Sequence, residues 1–429
     1  MLVQFSVENY RSVLERQTLS MAASKYFKEL EQLNTFTTGT SDTMPSLLRS
    51  AVIYGPNASG KSTLVGALDF MRYRVIHSAK DSQANEQIEV TPFKLTAASR
   101  AADSEFEVIF IEDSVRYQYG FRCNRERFTE EWLFAYPQGR AQRWFQRVFN
   151  RDTGKDEYRF SSVFKGGRKR QDWQEQTRSN ALFLSTALLL NNEQLKPVLN
   201  WFQQRLRIFE AHHILMAPGV TISRCNNKEN KRFVLEFMNS ADLAIADIRI
   251  DTRPFSPDML PEDMPVSLRD EISQEMADKE IAEVAFLHKD TETQELVEFE
   301  QQEESDGTRA LFAFAGPWLD VIENERVLVV DELDTSLHPL IVHYLVKLLH
   351  YQNCKAQLVF TTHDTTILSQ KILRRDQVWF TEKNARNTTQ LYSLSDFSPR
   401  DNEAVERGYL NGRYGGIPFL KDLDFHGFK

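Results

Sequence analysis

Gly55-Pro-Asn57-Ala-Ser-Gly60-Lys61-Ser62-Thr63 satisfies the pattern G-x-x-x-x-G-K-[ST] at every position. A strand-like run, Ala51-Val-Ile-Tyr54, leads into it, and a helix-compatible run from Thr63 to Met71 follows. That strand–loop–helix order is what phosphate binding needs. Backbone N–H groups of a glycine-rich loop, backed by a helix N-terminus, cradle phosphates, while the lysine reaches the β and γ oxygens and the hydroxyl after it holds Mg²⁺. The spacing therefore predicts a site for ATP and Mg²⁺ built from Asn57, Gly60, Lys61, Ser62 and Thr63.

The rest of the chain bounds what surrounds this loop. Its 429 residues exceed one small core and suggest a main domain carrying large insertions. With 41% hydrophobic and 26% charged residues it has the composition of a globular protein. No apolar run approaches the ~18–20 residues a bilayer span requires, so no membrane partner is expected. The alternating N-terminus (Leu2, Val3, Phe5, Val7) reads as a strand and not as a signal peptide. Cys123, Cys225 and Cys354 are few and far apart, which points to a reducing cytoplasm and away from disulfides or structural zinc. Net charge is −9, but unevenly spread. Arg116–Arg178 holds 15 Lys/Arg against 8 Asp/Glu, interleaved with Trp132, Trp144, Phe145 and Trp173, whereas Asp251–Asp306 holds 4 against 18. Such asymmetry suggests opposite charges meeting, or a basic surface for nucleic acid.

Along the chain, residues 1–75 read as two strands, a polar loop at 25–45, and then the strand, P-loop and helix. Residues 76–165 read as an antiparallel β lobe, from the β-rich runs at 106–111, 115–121 and 130–136. Residues 166–280 read as a mostly helical insertion, with two amphipathic helices around Pro197 and a proline-rich acidic loop at 252–265. Residues 281–395 resume an alternation of strand and helix: a hairpin at 281–300, a helix from Thr308 bent at Gly316-Pro317, the apolar strand Val327–Val330, a helix at 340–351 and the strand Gln357–Phe360. Residues 396–429 form a tail. Alternating strands and helices argue for a mostly parallel sheet.

Three constellations follow the P-loop. Val327-Leu-Val-Val-Asp331-Glu332 is an apolar strand ending in two acids, where Asp331 can hold the metal shell and Glu332 can orient the attacking water. Thr361-Thr-His363 places a histidine at the end of the next strand, within reach of a γ-phosphate. Glu304-Ser305-Asp306-Gly307-Thr308 opens a helix, with Ser305 a candidate N-cap and Gly307 permitting close approach of backbone to a ligand. The same stretch is a candidate for a second anion-binding helix N-terminus.

Together these segments resemble the ABC-type ATPase heads of the RecF, structural-maintenance and overcoming-lysogenization-defect kind. The resemblance implies an α/β P-loop NTPase with a mixed sheet, an antiparallel β lobe and a largely helical insertion. It also implies a homodimer with ATP at its interface, in which Ser305 and Gly307 contact the nucleotide of the partner. By the same transfer Asp334 crosses the dimer seam, His363 is the switch, and Arg11 of Asn9-Tyr-Arg-Ser lies near the nucleotide. A Q-loop glutamine is implied too, with Gln83, Gln87 and Gln118 all open. The tail Gly408-Tyr-Leu-Asn-Gly-Arg413-Tyr414-Gly-Gly-Ile-Pro418 adds a likeness to compact ATPases of abortive-infection and restriction-linked systems (RloA/AbiL type, related to the PARIS ATPase). Arg413 and Tyr414 either contact a partner or form a packed turn.

The leading expectation is an ATPase that dimerises around ATP and controls a separately encoded effector, nuclease or toxin, in anti-phage defence. Only 66 residues follow His363, fewer than the ~100 of a nuclease domain. The alternatives are a RecF-like ATPase that binds DNA through Arg116–Arg178, with Arg168, Lys169 and Arg170 foremost, and a weakly hydrolysing scaffold that sequesters a toxin.

Overall fold

Runs such as Ser50–Tyr54, Val327–Asp331 and Gln357–Thr361 are apolar at nearly every position, and a strand of that kind is stable only with both faces covered. In the computed structural model all three are buried along their whole length and lie side by side. The structure describes residues 1–39, 46–83, 85–216, 218–241, 243–260, 264–277, 280–350, 354–369, 371–397 and 404–418. The chain divides into two units, one of residues 1–210, 321–334 and 345–429, the other of residues 211–320 and 335–344.

The first unit holds the P-loop sheet. Its six strands run in the order Leu206–Glu210, Val327–Asp331, Gln357–Thr361, Ser50–Tyr54, Val378–Lys383 and Thr389–Ser393. The first five are parallel and the last is antiparallel. Val359 pairs with both Val329 and Ala51, which sets the ends of three strands level. The edge strand Leu206–Glu210 lies where the sequence suggests helix. The helical part stops earlier, at Trp201–Arg205, because Leu206 finds a parallel partner in Val327, 121 positions away. No local signal announces such a partner.

A second sheet of the same unit has seven antiparallel strands. Leu2–Glu8 pairs with both Gln17–Ser20 and Ser104–Glu112, so the N-terminus joins this sheet and not the P-loop sheet. The helix Lys61–His77 buries Leu64, Val65, Ala67, Leu68, Met71 and Val75 at helical spacing, and its Phe70 ring lies 4.9 Å from Phe106 of the antiparallel sheet.

The same sheet revises the reading of the basic stretch. Trp132, Trp144, Phe145 and Trp173 are core residues, not an exposed aromatic surface. Arg147 is fully buried against Asp156 and the carbonyls of Arg178 and Ala181, and Arg122 and Arg127 pair with Glu105 and Asp156. Arg170 lies over Phe160 and Phe164, which leaves Arg168 and Lys169 as the exposed members of that trio. Alternation along a half-buried strand puts every second residue in the core, so charge counted along the chain overstates charge on one face.

In the second unit, Asp247–Pro254, Glu280–Lys289 and Leu296–Glu300 form a three-stranded antiparallel sheet. The 252–265 loop is thus strand as far as Pro254, and residues 261–263 lie outside the described ones. The helix opened by Asp306 runs uninterrupted to Glu323 through Gly316-Pro317. Pro317 has no N–H for the Ala313 carbonyl, and the buried Thr221 hydroxyl donates to that carbonyl instead (3.1 Å). Gly316 is small because the Thr221 backbone would come within 2.6 Å of a Cβ there.

Candidate functional site

Parallel strands send their loops out at the same edge, and ligands of open α/β sheets bind beyond the carboxyl ends. The loops after Tyr54, Asp331 and Thr361 leave from that edge. A pocket of about 400 Å³ lies there, walled by Ser12, the P-loop residues 57–63, Glu332 and His363. Lys61 is buried, with Nζ donating to the carbonyls of Gly55 (2.8 Å) and Pro56 (3.3 Å). Burial lowers its pKa, while Asp331, Glu332 and Asp334 act in the opposite direction.

The loop is supported from behind by residues that local sequence does not announce. Gly60 has φ +112°, and a Cβ there would fall 2.2 Å from Thr389 Oγ1. The Thr389 hydroxyl donates to the Ser59 carbonyl (2.8 Å), and Ser59 shares a hydrogen bond with Thr381 (2.6 Å). Ser12 links this layer to the helix, lying 2.9 Å from Thr389 Oγ1 and donating to Thr63 Oγ1 (3.0 Å). A chain of hydroxyls thus fixes the P-loop backbone to the two last strands of the sheet.

Thr361 organises the acidic strand end. Its hydroxyl donates to Asp331 Oδ1 (2.5 Å) and accepts the Glu332 N–H (2.7 Å), while its carbonyl accepts the Leu333 N–H (3.0 Å). Glu332 sits at φ +56°, an uncommon conformation for a residue with a Cβ. Asp331 is buried and the Glu332 side chain is exposed at the pocket. One acid is therefore rigidly held and the other is presented. Ser62 and Asp331 offer hydroxyl and carboxylate oxygens, hard donors that suit Mg²⁺.

His363 is exposed at the pocket, and its backbone N–H donates to Asp334 Oδ2 (3.2 Å). Asp334 Oδ1 and Asp364 Oδ2, on either side of it, are buried with no hydrogen-bond partner among the described residues.

Residues 50–369 match the family described as "AAA domain, putative AbiEii toxin, Type IV TA system". The chain belongs to this family. Membership makes it, at the general level, a P-loop ATPase. No curated protein matches it. Among solved structures, the SMC head domain from Thermotoga maritima is 12% identical, with a TM-score of 0.39 over 91% of this chain and 98% of that one. A SmcHead bound to the C-winged helix domain of ScpA is also 12% identical, with a TM-score of 0.40 over 91% and 97%.

Arg11 and the candidate glutamines, which belong to the same unit as the P-loop in this AAA chain, do not line the pocket. Arg11, at φ +48°, donates its backbone N–H to the Thr91 carbonyl and stands over the Tyr10 ring. Its guanidinium is 3.3 Å from where a Cβ of Gly66 would be, beside the second turn of the helix, and Ser12 takes the place in the pocket wall. Gln118 is held in the antiparallel sheet between Glu107 and Tyr136, and none of the three candidate glutamines lines the pocket. Ser305, in the second unit, caps its helix by accepting the Thr308 N–H (3.1 Å). Among the described residues a Cβ on Gly307 would meet only Ser305 Oγ, at 3.8 Å, so nothing among them demands glycine there. Tyr414 is fully buried, which makes it a packed tail residue rather than an exposed contact.

Proposed function

We propose that the chain binds ATP and Mg²⁺ at this pocket, hydrolyses the nucleotide, and closes on a second copy of itself around it. One observation carries the reading: Lys61, Glu332 and His363, from loops leaving three adjacent parallel strands, meet at one pocket. Phosphoryl transfer asks little more of a protein than position and charge.

In this reading the P-loop N–H groups and Lys61 bind the β and γ phosphates, and Asn57, Gly60 and Thr63 complete the cradle. Ser62 and Asp331 hold Mg²⁺, which when bound neutralises charge on the phosphate oxygens. Glu332 orients the attacking water and receives its proton, for which an exposed carboxylate on a backbone held by Thr361 is suited. His363 bonds the γ-phosphate and reports its loss. Asp334 positions His363 through the backbone N–H.

Ser305 and Gly307 act on the partner's nucleotide. The open space at Gly307 supports this, since a glycine without a packing reason at a capped helix N-terminus leaves room for an approaching anion. We read the output as control of a separately encoded effector, nuclease or toxin, in cytoplasmic anti-phage defence of the RloA/AbiL kind. The toxin–antitoxin wording of the family description supports that reading. Three free, buried cysteines suit a reducing compartment, and no described helix is long and apolar enough to cross a membrane. The buried tryptophans remove the aromatic half of the case for nucleic acid on Arg116–Arg178.

The test is Glu332→Gln. It keeps ATP binding, slows hydrolysis roughly 10²–10⁴-fold and accumulates ATP-bound dimer in sedimentation. Turnover at the wild-type rate would place the water-orienting group elsewhere. Affinity purification of the same variant identifies the effector as the protein that stays bound.

A further inference from the structure

The C-terminal segment 404–418 packs against the loop that carries His363. Tyr54, the last residue before the P-loop, donates its phenol to the Asp364 carbonyl (3.0 Å), one residue beyond His363. Burial raises the Tyr54 pKa well above the usual value, with Asp364, Tyr409, Asp334 and Glu406 adding to it, so the phenol stays protonated as a donor. Tyr409, from the tail helix Val405–Leu410, lies 5.7 Å from the Tyr54 ring and stacks on Phe380 at 5.2 Å. Glu406, one helical turn earlier, accepts from the Thr365 hydroxyl (3.2 Å).

The tail itself is tightly fixed. Tyr409 donates to the Gly416 carbonyl (2.8 Å), Tyr392 donates to the Tyr414 carbonyl (2.9 Å), and the Gly416 N–H donates to Glu382 (3.2 Å). Gly415 has φ +68°, and a Cβ there would fall 2.4 Å from the Tyr392 hydroxyl. Glycine at position 415 is thus a packing requirement.

From this geometry we infer that Glu406 and Tyr409 are positioning residues for His363. The loop from Thr362 to Thr366 is held at several points. The Thr362 N–H bonds the Ile53 carbonyl, and the His363 N–H bonds Asp334 on the acidic-strand side. Tyr54, backed by Tyr409, bonds Asp364, and Glu406 bonds Thr365. The last two contacts join tail, P-loop strand and switch loop. The tail therefore sets how far His363 can move when phosphate is gained or lost, and whatever shifts the tail shifts catalysis without touching the nucleotide. This inference rests on the ATPase role of His363 proposed above.

The experiment compares the full-length chain with Thr365→Val, Glu406→Gln, Tyr409→Phe and Tyr409→Ala, and with His363→Ala as reference. Steady-state ATPase gives kcat and KM, and a fluorescent ATP analogue gives affinity. Thr365→Val and Tyr409→Ala lower kcat about 5- to 20-fold, the size of one or two lost hydrogen bonds, with affinity unchanged within about twofold. Tyr409→Phe keeps the ring and stays closer to wild type than Tyr409→Ala. Glu406→Gln keeps an acceptor and stays near wild type, and adding Glu406→Ala to Thr365→Val costs nothing further because both remove one bond. Wild-type kcat in Thr365→Val, which changes one hydroxyl and leaves folding intact, overturns the inference. So does a parallel loss of kcat and affinity in all tail variants. If His363→Ala itself turns over normally, the role of His363 falls and the inference with it. A slow His363→Ala beside normal tail variants removes only the inference.

Discussion

Thr361→Val removes one hydroxyl while keeping the shape of a fully buried side chain. That hydroxyl makes two contacts of different weight. As donor to Asp331 it satisfies a buried carboxylate oxygen, and such a charge-assisted bond contributes about 1.5–3 kcal/mol. As acceptor for the Glu332 N–H it contributes about 1 kcal/mol and holds the residue in its left-handed conformation, itself costing on the order of 1–3 kcal/mol. Hydrogen exchange read at single amides separates the two. The Glu332 amide should exchange about fivefold faster in the variant, the equivalent of about 1 kcal/mol of local protection. The Leu333 amide bonds the Thr361 carbonyl, which is untouched, and serves as internal reference. With Glu332 released and Asp331 unsatisfied, kcat should fall by about tenfold or more. Thr361→Ser keeps the hydroxyl and should restore both readouts. Unchanged exchange at Glu332 together with unchanged turnover would refute the view that this threonine organises the acidic strand end.

Lys61→Ala removes the cation of the P-loop and should weaken ATP binding roughly 10- to 150-fold, the equivalent of about 1.5–3 kcal/mol; affinity within twofold of wild type by calorimetry would remove the P-loop assignment. Gly307→Ala meets no steric obstacle among the described residues and replaces a helical glycine, so thermal stability should stay level or rise, while ATP-dependent dimerisation weakens. A normal dimer in both Gly307→Ala and Ser305→Arg would exclude the N-terminus of the Asp306–Glu323 helix from the interface.

Much of the site is legible along the chain because each part is short and local. Gly55–Thr63 is a contiguous loop, and Asp331 and Glu332 end an apolar run whose length and flanks mark a buried strand. The supporting layer is not legible. Ser12, Thr381 and Thr389 are ordinary hydroxyl residues in unremarkable contexts, and they matter only because three distant segments arrive at one loop. The edge strand Leu206–Glu210 shows the same limit, since a parallel strand is defined by its partner and not by its own five residues. The basic stretch fails in the opposite direction: the charge is real, but strand alternation divides it between surface and buried ion pairs.

Read alone, the amino-acid order establishes a nucleotide-binding loop, an acidic strand end and a histidine after the next strand, because phosphate chemistry needs those groups at fixed local spacing. It does not establish that Lys61, Glu332 and His363 share one pocket. That follows from parallel pairing of Ser50–Tyr54, Gln357–Thr361 and Val327–Asp331, whose registers level the strand ends. The packing of the tail is also visible only in three dimensions. Gly408–Pro418 reads equally as a partner contact or a packed turn, and only the buried rings of Tyr409 and Tyr414 and the hydrogen bonds of the tail join it to the switch loop. Local patterns report what one segment can do, whereas burial and hydrogen bonding between distant segments determine what they do together.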